Sequence, residues 1–164
     1  DASEQSRVTR MEHVNTTIYG TPQDGIACSA ARIARLIREC DAGGQKAVLS
    51  LASGRSMRDL FAELVRLHKE EGLSFKNVVI FTAYEYYPLT DLSTGSVAQI
   101  RSLLLDQVDI LAENIHAIPG DLAKEDILTF CADYEKLIAQ EGGIDIQVLG
   151  IGQSGNIAMY EPGI

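Results

Sequence analysis

The sequence predicts an α/β fold, a doubly wound and mainly parallel sheet with helices on both faces. Three observations predict it. Residues 46–51 and 77–81 are short, nearly continuous apolar runs, the pattern of strands buried on both faces rather than of half-exposed alternating ones, and residues 145–149 read as a further strand. Between them lie segments whose apolar residues recur every three or four positions, as one face of a helix requires. Glycines at 43, 44, 72, 142 and 143 stop those segments. A chain that alternates in this way needs right-handed crossovers, which place helices on both sides of a parallel sheet.

In chain order, residues 1–14 are polar and without periodicity, and are expected to form a lead-in lacking fixed structure. Residues 15–164 are expected to form the α/β domain. Thr16, Thr17, Ile18 and Tyr19 form a short β-prone piece. Thr21, Pro22 and Asp24 then supply an N-cap, a first-turn proline and an acid three residues after the cap. Ile26, Ala30, Ile33, Ile37 and Cys40 continue that helix to Gly43 and Gly44. After the apolar run 46–51, residues 52–56 turn the chain. Ser56 is expected to cap a helix from Met57, with Leu60, Leu64 and Leu67 facing inward. Beyond the strand 77–81 comes an aromatic, acid-bearing loop, residues 82–89. A helix over 97–110, a strand over 114–118 and a turn at Pro119 and Gly120 follow. Ile127, Cys131, Tyr134 and Ile138 mark the last amphipathic helix before the strand 145–149.

With 164 residues, 46% of them hydrophobic and 23% charged, the chain has the composition of one soluble globular domain, expected in the cytoplasm. Its formal net charge of -9, with no local cluster of Lys and Arg, disfavours nucleic acid and anionic membranes as partners. Cys28, Cys40 and Cys131 lack the spacing of a zinc site and are read as reduced core thiols, so no metal is expected. His13, His68 and His116 are scattered, and His116 is read as structural.

Two stretches look chemical. Ser53, Gly54, Arg55 and Ser56 join a strand to a helix start, where free N–H groups and the helix dipole converge to cradle an anion. The strand 145–149 breaks into Gly150, Gly152 and Gly155, which let backbone approach a ligand, and continues through Ser154 and Asn156 to Glu161, Pro162 and Gly163. This reads as an active-site wall.

These residues carry a family resemblance. Residues 72–79 (Gly-Leu-Ser-Phe-Lys-Asn-Val-Val), Gly143-Ile144-Asp145, and the frame of Gly150, Gly152, Gly155, Ile157, Ala158 and Glu161-Pro162-Gly163 resemble glucosamine-6-phosphate deaminases, the sugar-phosphate isomerase/deaminase family related to 6-phosphogluconolactonases. The match runs from about Ile18 to the last residue. It implies a Rossmann-like fold, of which this chain would be an incomplete N-terminal portion. It also implies a sugar phosphate at the carboxyl ends of the strands and cofactor-free isomerisation with ammonia release to fructose 6-phosphate. The turn of Ser53, Gly54, Arg55 and Ser56 corresponds to the family's phosphate turn, although Ala52 and Met57 stand where prolines are usual.

The acid–base positions depart from the pattern. Tyr84 stands where the family has its Asp base, ahead of the retained Glu85 and Tyr86. Ser154 and Asn156 replace the Asp and the ring-opening His of an Asp-Gly-His motif, and Glu161 is retained. A phenol is mostly protonated near neutral pH and an Asn cannot titrate, so both can orient a ligand but are poor bases. The loop over residues 84–89 resembles a divergent branch, in longer bacterial proteins where the domain precedes a deacetylase-like domain. Three readings follow. One is a deaminase/isomerase using Glu85 or Glu161 as its carboxylate, with Tyr84 and Asn156 orienting the sugar. The second is a non-catalytic sugar-phosphate-binding module, and the third a lactonase-type hydrolase, disfavoured by the replaced His. Association into a homo-oligomer through an exposed sheet edge is a further expectation.

Overall fold

The computed structural model describes residues 15–161 and residue 163; the expected lead-in at residues 1–14 lies outside them. Thr21 opens the first helix, α1 (Pro22–Ala42), as an N-cap whose Oγ1 accepts from the Asp24 N–H at 3.2 Å. Ala30, Ile33, Ala34 and Ile37 form its buried stripe. Strand β1 (Ala47–Leu51) follows and is buried at every position, as is β2 (Val78–Thr82). Between them runs α2 (Arg55–Glu71), closed by Gly72 in the left-handed conformation at φ 68°. The remaining regular elements are α3 (Ser96–Leu103), β3 (Ile115–His116), α4 (Ile127–Gln140) and β4 (Ile146–Val148).

The strands form one parallel sheet in the order β3-β2-β1-β4. Because β1 and β2 alternate their side chains between two covered faces, both strands are apolar except for the buried Ser50 and Thr82. On one face Leu49, Leu51, Val78 and Ile80 pack with Phe61, Leu64 and Phe75 and with the stripes of α1, α2 and α3. On the other, Val48, Val79 and Phe81 meet Tyr134 and Ile138 of α4 together with Ile144. Among the described residues, no helix is long and apolar enough to cross a membrane.

Several expectations are corrected. The β-prone Thr16–Tyr19 piece forms no strand: residues 15–19 are irregular and exposed, since propensity without a neighbouring edge gives no ladder. Helix α2 starts at Arg55 with Gly54 as its N-cap and no side-chain cap, so Ser56 lies inside the first turn. Gly54 makes the early start by adopting φ 130° and ψ 172°, a region that residues with a Cβ avoid. The helix expected over 97–110 ends at Leu103 because the Gln107 amide donates to the carbonyls of Ser102 and Leu103, closing the last turn. The strand expected over 114–118 shortens to two residues. Asn114 is instead buried, and its side-chain amide donates to the Lys76 carbonyl at 3.2 Å. Cys28 and Cys131 are exposed and so are not core thiols, whereas Cys40 is half-buried and packs against the core. His116 stacks on Phe81 with ring centroids 4.7 Å apart, a packing role.

Two of the family-like blocks sit at the amino ends of strands, away from the ligand edge. In the block before β2, Asp109 accepts from the Phe75 N–H at 2.6 Å and the Ser74 hydroxyl at 2.9 Å, while His68 Nδ1 lies 2.7 Å from the Leu73 carbonyl oxygen. In the block before β4, Asp145 accepts from the Val48 N–H at 2.8 Å, registering β4 on β1. Burial alone would raise the Asp109 carboxyl. The bonds from Phe75 and Ser74 and the neighbouring His68 outweigh it and leave the pKa below the ordinary value. A depressed carboxyl contributes stability that is complete above its unfolded value and is lost as pH falls through the folded one. Asp109→Ala is therefore expected to cost roughly 2–3 kcal/mol at neutral pH by leaving the buried Phe75 N–H unpaired. It should also weaken the dependence of stability on pH in the acid limb, as read by denaturant melts from pH 7 downward.

Candidate functional site

Strand β1 is flanked by β2 and β4, so the direction of winding reverses between β1 and β4. Ligands of open α/β sheets occupy the crevice outside the carboxyl ends at that point. Three segments leave the sheet there: residues 52–56 from β1, 83–89 from β2 and 149–161 from β4. Backbone bonds hold them to one another. The Ala83 N–H donates to the Leu51 carbonyl at 2.9 Å and the Ala52 N–H to the Val148 carbonyl at 3.3 Å.

The residues expected to cradle an anion, Ser53, Gly54, Arg55 and Ser56, lie at the uncapped start of α2. The Arg55 and Ser56 side chains are exposed, and Arg55 makes no ion pair among the described residues. Gly150 closes the cradle on the β4 side: a Cβ there would stand 3.1 Å from Ser56 Oγ. The Ser53–Ser56 turn and Gly150, far apart in sequence, are thus neighbours.

The β2 loop sits over the cradle. The Tyr84 hydroxyl donates to the Ser53 carbonyl at 2.9 Å and lies 3.3 Å from Ser53 Oγ. Glu85 turns the other way: Oε1 accepts from the N–H groups of Tyr86 and Ser96, each at 2.7 Å, and Oε2 from that of Val97 at 2.8 Å. It therefore caps α3, whose Gly95 N-cap has no side chain to do so. The donors lie eleven and twelve residues downstream, beyond any local capping motif, so sequence spacing carried no signal of this role.

The β4 loop gathers Ser154, Asn156 and Glu161, three of the residues expected from the sequence to face a ligand. The Ser154 hydroxyl lies 2.8 Å from Asn156 Oδ1 and 3.3 Å from Glu161 Oε2, so its single proton can be donated to either. The Asn156 amide donates to the Ala158 carbonyl at 3.0 Å. Ala158 adopts φ 52°, a left-handed conformation uncommon for a residue with a Cβ, and its N–H reaches the Gly150 carbonyl at 3.2 Å. The side chain of Asn156 lies against Gly152, where a Cβ would come 1.9 Å from Oδ1. Gly155 supplies the turn between them at φ 82°.

On the α4 side the crevice opens into a cleft of 550 Å³ lined by Thr82, Glu85, Tyr87, Tyr134, Gln147 and Tyr160 among others. The Tyr134 hydroxyl spans the carbonyls of Thr82 and His116 at 2.9 and 3.0 Å, and burial raises its pKa against the opposing effect of the Thr82 bonds. Of these lining residues, sequence reasoning missed Tyr134 and Gln147 as site residues. Gln147, the polar break in an apolar run, was the available signal; Tyr134 sat unmarked within a helix stripe.

Comparison with known proteins puts this geometry in context. A family model described as glucosamine-6-phosphate isomerases/6-phosphogluconolactonase matches residues 20–160. A glucosamine-6-phosphate deaminase-like protein of Bacteroides thetaiotaomicron is 46% identical over 164 residues, which cover 99% of this chain and 25% of that protein. The glucosamine-6-phosphate deaminase of Oceanobacillus iheyensis is 40% identical over 119 residues, 72% of this chain and 47% of that protein. Among solved structures, a monomeric glucosamine-6-phosphate deaminase superposes with a TM-score of 0.81 at 29% identity, covering 92% of this chain and 60% of that one. A 6-phosphogluconolactonase from Plasmodium vivax, with a TM-score of 0.74 at 20% identity over 96% of this chain and 56% of that one, shares the fold. The chain thus spans half or less of the length of these two curated relatives.

Proposed function

The chain belongs to the glucosamine-6-phosphate isomerase/6-phosphogluconolactonase family, and from that premise we propose that its protein is a deaminase acting on an amino sugar phosphate. Glucosamine 6-phosphate and water give fructose 6-phosphate and ammonia, by ring opening and proton transfer between C2 and C1. The observation that carries the reading is the joining of the Ser53–Ser56 turn to the Gly150 wall, with Glu161 and its Ser154 contact on the same β4 segment.

In this reading the substrate phosphate sits on the backbone donors at the start of α2, with the Ser53 and Ser56 hydroxyls and the Arg55 guanidinium completing the contacts. Gly150, Gly152 and Gly155 let the sugar lie against backbone. Glu161 is the carboxylate that takes and returns protons. Ser154 sits between it and Asn156, and Asn156 offers hydrogen bonds to the sugar without titrating. Glu85 is turned onto α3 and is not assigned a proton-transfer step.

A second reading is favoured by a specific observation: Tyr84 and Asn156 stand at the family's base and ring-opening positions, and both side chains are tied to neighbouring carbonyls. That suits a module which binds sugar phosphates without turning them over. Ammonia release from glucosamine 6-phosphate by the full-length protein, measured alongside calorimetric titration, separates the two. Turnover supports the deaminase, binding without turnover supports the module, and neither in a folded protein rejects both.

A further inference from the structure

We infer that Tyr84 and Glu85 work as one brace that presets the phosphate turn, both as positioning residues rather than proton-transfer groups. This rests on the proposed role of the Ser53–Ser56 turn in holding the substrate phosphate.

The brace is built from both ends. At one end the Glu85 carboxylate collects the N–H groups of Tyr86, Ser96 and Val97, anchoring the loop to the start of α3. The fit there is close: a Cβ on Gly95 would come 2.7 Å from Glu85 Oε2. The next turn of the loop is held as well, by the Leu89 N–H on the Gly120 carbonyl at 2.7 Å, and a Cβ on Gly120 would meet the Tyr86 carbonyl oxygen at 2.9 Å. At the other end the Tyr84 hydroxyl donates to the Ser53 carbonyl. Ser53 immediately precedes Gly54, whose φ of 130° sets the direction in which α2 presents its first N–H groups. A hydrogen bond to the Ser53 carbonyl therefore limits the rotation of the peptide that enters the cradle. The carboxylate has little freedom left to meet a substrate, and the phenol is committed to a main-chain oxygen. Anchoring Tyr84 through Glu85 stiffens the turn before ligand arrives, which lowers the ordering cost of binding.

The test uses Tyr84→Phe, Glu85→Gln and the double variant in the full-length protein. Affinity for glucosamine 6-phosphate and for inorganic phosphate is measured by calorimetry, kcat and KM are measured where turnover occurs, and amide exchange is followed at Gly54, Arg55, Ser96 and Val97. Each single variant is expected to weaken phosphate affinity about tenfold, the scale of one hydrogen bond. The double variant should lose no more than the larger single loss, because Glu85 acts on the turn through Tyr84. KM should rise with kcat nearly unchanged. Exchange at Gly54 and Arg55 should quicken in both single variants, and at Ser96 and Val97 only in Glu85→Gln. Additive losses, or a collapse of kcat with affinity intact, overturn the brace. Should the unmodified protein bind no phosphate at all, the sugar-phosphate reading fails, and exchange still decides the brace: unaltered Gly54 and Arg55 in Glu85→Gln end it. Tyr84→Phe leaves the α3 cap untouched, so the turn is tested even where Glu85→Gln destabilises the fold.

Discussion

Replacing Glu161 by glutamine is expected to lower ammonia release from glucosamine 6-phosphate by roughly 10²- to 10⁴-fold, the usual loss on removing a positioned acid–base group. The reason lies in what surrounds it. Of the four side chains proposed to stand at the family's acid–base positions, Tyr84 is committed to the Ser53 carbonyl and Asn156 to the Ala158 carbonyl. Ser154 is a hydroxyl between Asn156 and Glu161, and the proposed mechanism therefore gives proton exchange to the Glu161 carboxylate. Glutamine keeps the shape and one acceptor oxygen, so substrate affinity should change far less than kcat. Stopped assays of full-length Glu161→Gln against the unmodified protein, with calorimetry on both, check this. Equal kcat in the two would remove Glu161 from the mechanism.

Gly152→Ala is expected to cost about 10²-fold in turnover with little loss of stability. A methyl group at this position would arrive 1.9 Å from Asn156 Oδ1 and 2.7 Å from its Cγ, far inside van der Waals contact. The atoms in the way belong to a short side chain on a half-exposed loop, which can rotate aside while the sheet stays intact. Rotation breaks the bonds to Ser154 and Ala158 and misplaces both the amide and the hydroxyl that faces Glu161. A displacement of about 1 Å at a reacting centre costs on the order of 10²-fold. The mechanism also predicts non-additivity: in an Asn156→Ala background, which removes the clashing atoms, adding Gly152→Ala should cost almost nothing more. A large additional loss would mean that the glycine serves the backbone or the ligand directly. Thermal melts of the variants separate loss of fold from loss of site.

How much was legible in the sequence varied with the range of the interaction involved. The buried strands and the α1 cap were readable because period, capping spacing and glycine stops act within a few residues. The membership in a doubly wound family was readable because Gly143-Ile144-Asp145 and the Gly150 to Gly163 frame keep their order. Cys131 and Tyr134 show where local pattern falls short. Both lie on one apolar stripe of α4, yet one is exposed and the other spans two strand ends through its hydroxyl, since a stripe says which side of a helix is apolar but not how closely a sheet approaches it.

The candidate site divides along the same line. Residue types along the chain carried the candidates: a glycine-led turn at Ser53 to Ser56 proposed as an anion cradle, and a resemblance that places Tyr84, Ser154 and Asn156 at positions proposed to hold titrating groups in the family, with Glu161 as the carboxylate. What those groups touch came from the packing of segments distant in the chain. That packing turned Glu85 onto the N-terminus of α3, tied Tyr84 to the Ser53 carbonyl and set Gly150 against Ser56. The reason is physical. Residue type fixes what a side chain can donate, accept or titrate, whereas its partners here come from strand ends and a helix start brought together by parallel crossovers, and no spacing along the chain encodes that meeting.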